Sequence, residues 1–189
     1  MKTTKIKFTS QEVEMERRTF LKSVSGLSLL IAFPVMVKAA AQDAVKGMMT
    51  VMKPLRKTKQ AWRELLSTKR FSILFEDDTE QSGSSPLNHE KRAGIFVCAA
   101  CHWPLFSSET KYDSGTGWPS FWQPLPDAIL SKKDYLLFLP RNEYHCARCG
   151  GHQGHIFNDG PKPTGKRYCN NGLALDFILD GAILPELRT

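Results

Sequence analysis

The chain has 189 residues, of which 41% are hydrophobic and 10% aromatic. That is enough for one domain with a proper core, and it excludes the disordered, fibrous and polytopic membrane classes. The formal net charge of +7 raises the question of an anionic partner, and its location along the chain answers it.

The first segment is Glu16-Arg17-Arg18-Thr19-Phe20-Leu21-Lys22, then a moderately apolar run from Ser23 to Val37, then Ala39-Ala40-Ala41. Basic, apolar and small residues in that order make a secretory signal, and the paired arginines indicate the twin-arginine route. The apolar run contains Gly26, Pro34 and three serines and falls short of the ~20 apolar residues that span a bilayer. The expectation is cleavage after Ala41 and export to the periplasm or another extracytoplasmic space, with no stable membrane insertion afterwards. Met15 is an alternative start that leaves a more compact basic region. Residues 1–41 carry seven of the 26 Lys/Arg and three of the 19 Asp/Glu, so 19 basic and 16 acidic groups remain, a net of +3. The apparent affinity for nucleic acid thus belongs mostly to the discarded end, and no nucleic-acid partner is expected.

Residues 42–59 are polar and basic without a sustained period and read as a linker or short helix, followed by the main domain at 60–180 and a tail at 181–189. Trp62, Leu65 and Leu66 have helical spacing, and Phe71, Leu74 and Phe75 repeat it after Ser67-Thr68, which supplies a cap. Glu76 to Lys91 is acidic and then Gly-, Ser- and Pro-rich, a loop. Beyond it, β-branched and aromatic runs at 94–97, 135–139, 155–157 and 173–178 are separated by turn residues. The fold class is therefore mainly β (α+β), antiparallel, with short helices on the N-terminal side.

The five cysteines carry the chemistry. Cys98-x-x-Cys101 and Cys146-x-x-Cys149 each let two sulfurs converge on one ion, and together they complete a closed four-thiolate zinc site of structural type. The 44 residues between the pairs exceed the ~15–20 of compact zinc ribbons, so the ion clamps two distant segments. The rivals are disulfides, which export favours, and a redox-active CxxC, which needs a βαβ context that neither pair has. Twin-arginine export carries folded proteins and lets metal load while thiols are reduced, which favours Zn²⁺. Cys169 is left over. A lone cysteine is commonly a small buried hydrophobe, yet here strand alternation would put Arg167, Cys169 and Asn171 on one face. A guanidinium and amide donors beside a thiol favour the thiolate, the nucleophilic form. His152 and His155 are open to three readings: metal ligands, structural residues or proton carriers. Trp103, Phe121 and Trp122 read as core or pocket wall, and His102 as a surface residue.

At these residues the sequence resembles a known family. CAAC with Pro104-Leu105-Phe106-Ser107-Ser108, Ser114-Gly115-Thr116-Gly117-Trp118-Pro119-Ser120-Phe121, the run from Cys149 to Pro161 and Gly165-Lys166-Arg167-Tyr168-Cys169-Asn170-Asn171 are similar, in order, to the peptide methionine-R-sulfoxide reductases of the B family. The resemblance runs from Trp62 to Ile178. It implies that Cys169 attacks the sulfoxide sulfur and becomes a sulfenic acid, that His152 and His155 supply the proton, and that Asn171 holds the imidazole or the oxygen. It also implies that Trp118 packs on the substrate methyl, with Arg167 and Asp159 as supporting polar residues. The substrate would be methionine-R-sulfoxide in oxidised proteins or peptides, or free. Many members have a resolving cysteine where this chain has Thr116, so regeneration falls to a thioredoxin-like or other thiol reductant. Gln153 replaces a common leucine, and Asn170-Asn171-Gly172 departs from the more usual Ile-Asn-Ser. The alternative reading is a zinc-clamped β module that binds a ligand at Trp118 without catalysis.

Overall fold

The computed structural model describes Gly47, residues 52–134 and residues 141–189. The signal segment expected at 1–41 and the strand expected at 135–139 lie outside the described residues. Helix α1 (Lys59–Leu65) is capped by the Thr58 hydroxyl on the Ala61 N–H, and α2 (Thr68–Phe75) by the Ser67 hydroxyl on the Arg70 N–H. Both helices turn their apolar faces inward. Trp62 stacks on Phe75 at 5.2 Å between ring centroids, and Phe71, Ile73 and Leu74 enter the core. Arg70 of α2 reaches across to grip both carboxylate oxygens of Asp176. No helix among the described residues is long and apolar enough to cross a membrane.

Among the described residues nine strands follow: β1 (Gly94–Cys98), β2 (Pro104–Ser107), β3 (Lys111–Tyr112), β4 (Ser120–Phe121), β5 (Ile129–Asp134), β6 (Arg141–Cys146), β7 (His152–Phe157), β8 (Arg167–Asn170) and β9 (Leu175–Leu179). They form two antiparallel sheets, one ordered β2-β1-β9 and one ordered β3-β4-β8-β7-β6-β5. The fold is thus mainly β with two short helices at the N-terminal side, as the sequence implies. Phe96, Phe106 and Phe121 pack between the sheets, with Phe106 stacked on Phe121 at 4.2 Å. Trp103 is buried beside them.

One element differs from expectation for an identifiable reason. The strand expected at 173–178 begins only at Leu175, because Gly172–Ala174 form a 3₁₀ turn. The Glu80 carboxylate accepts the N–H groups of Gly172 and Leu173, which holds that turn in place of a ladder. Asn171, extended in backbone and just past the end of β8, is the N-cap residue of that turn. The residues before and after the domain also have definite places. The Leu55 N–H donates to the Arg148 carbonyl at 2.6 Å, and Leu187 packs on the core. Arg188 donates from its guanidinium to the Ala99 and Ala100 carbonyls, and Arg148 donates to the Cys101 and Arg188 carbonyls. The C-terminal segment thus lies against the CAAC turn.

Candidate active site and four-cysteine centre

The turns after β1 and β6 present Cys98, Cys101, Cys146 and Cys149 to one another, with all four sulfurs within 4.8 Å. The Cys98–Cys149 and Cys101–Cys146 sulfurs are 3.7 and 3.6 Å apart, and none forms a disulfide. A sulfur tetrahedron around an ion with ~2.3 Å bonds has edges of about 3.8 Å, so the spacing fits zinc and is far from the ~2.05 Å of a disulfide. Burial pushes the Cys98 and Cys146 thiols well above their ordinary value, and a central dication removes that penalty. The Gln153 side chain donates to the Cys98 sulfur at 3.5 Å, an outer-shell contact of the kind that orients metal-ligating thiolates.

Cys169 lies apart from this cluster, on β8, at the edge of an open cavity of about 130 Å³ lined by Thr79, Trp118, Gly154, His155, Phe157, Cys169, Asn170 and Asn171. Strand pairing builds this wall: Cys169 is opposite Ser120 of β4 and His155 of β7. Gly154 is required there, because a Cβ would stand 1.9 Å from the Cys169 carbonyl oxygen. The opposite wall comes from the loop after α2. The Trp118 indole N–H donates to the Glu80 carbonyl, and the Glu80 N–H donates to Asn171 Oδ1. Gly117 has φ +86, and a Cβ on it would meet Ser82 Oγ at 2.1 Å, so only glycine lets this loop close over the Trp118 segment.

Of the seven catalytic and substrate residues expected from sequence, Cys169, His155, Trp118 and Asn171 line the cavity. The Asn171 amide also donates to the Gln153 carbonyl at 3.2 Å, tying β7 to the turn. Arg167, Asp159 and His152 are not among the residues that line it. Arg167 forks onto Asp159 at 2.9 and 2.8 Å and covers the Phe157 ring at 4.2 Å, so it braces an aromatic that faces the cavity. His152 is 2% exposed, and its Nδ1 lies 2.5 Å from Glu143 Oε1. His145 Nε2 meets the same oxygen at 2.7 Å, and Lys132 pairs with the other carboxylate oxygen. Burial pushes His152 below the ordinary imidazole value, and its neighbours hold Glu143 ionised despite burial. The arrangement is a neutral His152 donating to a carboxylate, with its Nε2 buried and unpartnered among described residues.

The thiol itself differs from the sequence argument. Burial pushes Cys169 above its ordinary value, outweighing the opposing effects of the Arg167 charge and of hydrogen bonds with the Thr116 hydroxyl and the Arg167 guanidinium. Glu80, Glu143, Thr79 and Phe157 escaped the sequence reading. Glu80 and Thr79 sit in a stretch whose composition marks only a loop, and Glu143 is one acid in an unremarked strand. A buried acid with two histidine partners is visible only after β6 and β7 pair.

A β domain that brings four thiols within reach of one ion and leaves a fifth thiol at an open aromatic-walled cavity is a scaffold for thiol chemistry. The chain belongs to the SelR domain family, whose model matches residues 66–179. It is 44% identical to a peptide methionine sulfoxide reductase MsrB of Methanosarcina barkeri over 126 residues, 66% of this chain and 89% of the relative. It is 46% identical to the protein of the same name from Leptospira interrogans, over 65% of this chain and 95% of the relative. A chloroplastic peptide methionine sulfoxide reductase B1 of Oryza sativa is 45% identical, over 62% of this chain and 56% of that protein.

Proposed function

We propose that this protein reduces methionine-R-sulfoxide, in peptides or free, to methionine, with Cys169 as the nucleophile. The observation that carries this reading is the placement of Cys169. It is the one cysteine outside the four-sulfur cluster, and it faces a cavity with Trp118 on one side and His155 across the strand pair. The substrate methyl rests on the Trp118 and Phe157 rings, which favours one sulfoxide epimer by shape. The Cys169 thiolate attacks the sulfoxide sulfur, and the oxygen, protonated from His155, ends on Cys169 as a sulfenic acid while methionine leaves. His152 serves by position: its bond to Glu143 fixes β7 and leaves His155 at the cavity.

Cys98, Cys101, Cys146 and Cys149 would hold the zinc, whose four protein ligands leave no open position, so it supplies folding and not catalysis. With those thiols engaged and Thr116 in the segment where a second thiol would lie, the sulfenic acid is regenerated from outside. Two equivalents of a small thiol, or one dithiol of the thioredoxin type, return Cys169 to the thiol with release of water and formation of the reductant's disulfide. Export of the protein by the twin-arginine route, with removal of residues 1–41, completes the proposal and rests on the order of Arg17-Arg18, the apolar run and the alanines.

The test compares R- and S-methionine sulfoxide, free and peptide-bound, with wild-type protein and Cys169→Ser. Turnover of the R epimer by wild type alone, with zinc content unchanged in the variant, is the expected result. R-epimer turnover retained in Cys169→Ser, or absent in the wild type with every reductant tried, rejects the proposal, and ligand binding without turnover would favour the binding module.

A further inference from the structure

Three hydroxyl groups lead away from Cys169 in a line. The Thr116 hydroxyl lies within hydrogen-bonding reach of the Cys169 sulfur, as does the Arg167 guanidinium. Ser114 Oγ lies 2.8 Å from Thr116 Oγ1 and 2.8 Å from Ser120 Oγ. Ser120 is completely buried opposite Cys169, and its Oγ lies 3.1 Å from the Trp118 carbonyl oxygen. We propose that Thr116 is a catalytic residue whose hydroxyl, oriented by Ser114 and Ser120, donates a hydrogen bond to the Cys169 thiolate and holds the nucleophile in its reactive form. The inference rests on Cys169 being the nucleophile and adds a residue to that site.

Each hydroxyl has one proton and accepts at its oxygen, so the line has two polarities. With Cys169 protonated, the thiol donates to Thr116, Thr116 to Ser114, Ser114 to Ser120, and Ser120 to the Trp118 carbonyl. With Cys169 ionised, every hydroxyl rotates: Ser120 donates to Ser114, Ser114 to Thr116, and Thr116 to the sulfur. No proton travels along the line; the Cys169 proton leaves by the open cavity. A chain of bonds that all point one way strengthens each member, and a bond to an ionised acceptor is stronger than one to a neutral one. The thiolate polarity therefore offsets part of the burial that disfavours the charge. A valine at 116 would fill the space and donate nothing.

The charged and titratable groups facing Cys169 are Arg167 of β8 and Asp159 beyond β7, Tyr112 of β3, Tyr144 of β6 and His155 of β7. None is altered in the variants below, so a change of midpoint reports the hydroxyl line. The measurement is the rate of Cys169 alkylation by iodoacetamide against pH in the zinc-loaded protein, read by mass spectrometry of the peptide containing Cys169. Thr116→Val should raise the midpoint by about one pH unit, making alkylation near neutral pH about tenfold slower. Thr116→Ser should restore the wild-type profile, and Ser114→Ala should give a smaller rise in midpoint, slowing alkylation near neutral pH about threefold. An unchanged midpoint in Thr116→Val, or a Thr116→Ser profile shifted as far as the valine variant, overturns the proposal. Where Thr116→Val does not fold, Ser114→Ala decides: a shift supports the line and an unshifted profile rejects it. Loss of the parent function would appear as turnover surviving in Cys169→Ser, whereas this titration reads the hydroxyl line whatever the turnover.

Discussion

Gln153 and Asn170, both fully buried, occupy adjacent strands and touch each other. Asn170 Nδ2 lies 3.5 Å from Gln153 Oε1 and 2.8 Å from the Asn171 carbonyl oxygen, and Asn170 Oδ1 accepts from the Tyr144 hydroxyl at 2.7 Å. Gln153 Nε2 contacts Cys98 Sγ. Two departures from the family resemblance, one in place of a common leucine and one in place of isoleucine, are thus one buried polar chain from the metal-site thiol to Tyr144. Asn170→Ile alone would strand the Tyr144 hydroxyl and Gln153 Oε1, each costing roughly 1–3 kcal/mol, so a loss of about 2–6 kcal/mol is expected. Gln153→Leu alone would remove a weaker pair of contacts while Asn170 keeps Asn171 and Tyr144, costing about 1–2 kcal/mol. In the double variant the two apolar side chains pack on each other, and Gln153 Oε1 is no longer present to be stranded. The double variant should therefore be less destabilised than the sum by about 1 kcal/mol or more, a coupling within the ordinary range for contacting residues. Urea unfolding of the four zinc-loaded proteins with a shared slope measures it. Additivity within about 0.3 kcal/mol would refute the idea that the two residues form one network.

Removing residues 183–189 should speed zinc transfer to a chromophoric chelator several-fold, because the Ala99 and Ala100 carbonyls of the CAAC turn would lose Arg188, and Arg148, bound to the Cys101 carbonyl, would lose the Arg188 carbonyl that anchors its other nitrogen. The same rate in the truncated and full-length proteins would show the tail to be incidental. The pH dependence of stability has a definite sign. Burial keeps His152 neutral when folded, so it contributes stability that is full above the unfolded value near 6.5 and is lost as pH falls through its depressed folded value. Glu143, also depressed when folded, adds a second loss that begins below its ordinary 4.5. Unfolding free energies measured between pH 7 and 5 should therefore fall less steeply in His152→Asn than in wild type, and parallel curves would contradict the assignment.

The two CxxC pairs, the lone cysteine and the order of the glycine- and tryptophan-containing motifs were readable because they depend on local spacing and residue type. Two helices at Lys59–Leu65 and Thr68–Phe75 were readable too, since Thr58 and Ser67 cap them and the apolar positions recur at helical spacing. The short strands β3 and β4 were not, because two residues have no period and exist only through pairing with Phe121, Ser120, Tyr168 and Cys169.

What the tertiary structure alone decided concerns neighbours that come from distant parts of the chain. Glu80 lies in a loop by composition, yet its backbone and carboxylate organise Trp118, Asn171 and the turn before β9. Arg167 is the electrostatic partner of Cys169 that the sequence suggests, and strand pairing adds what the sequence could not show, the fork of its guanidinium on Asp159 and its cover of the Phe157 ring. Charge on the thiol is a sum over everything around it, so sequence proximity could name the arginine but not the burial that outweighs it. The residue types determined what chemistry was available at Cys169, and only the pairing of β4, β7 and β8 decided which groups surround the sulfur.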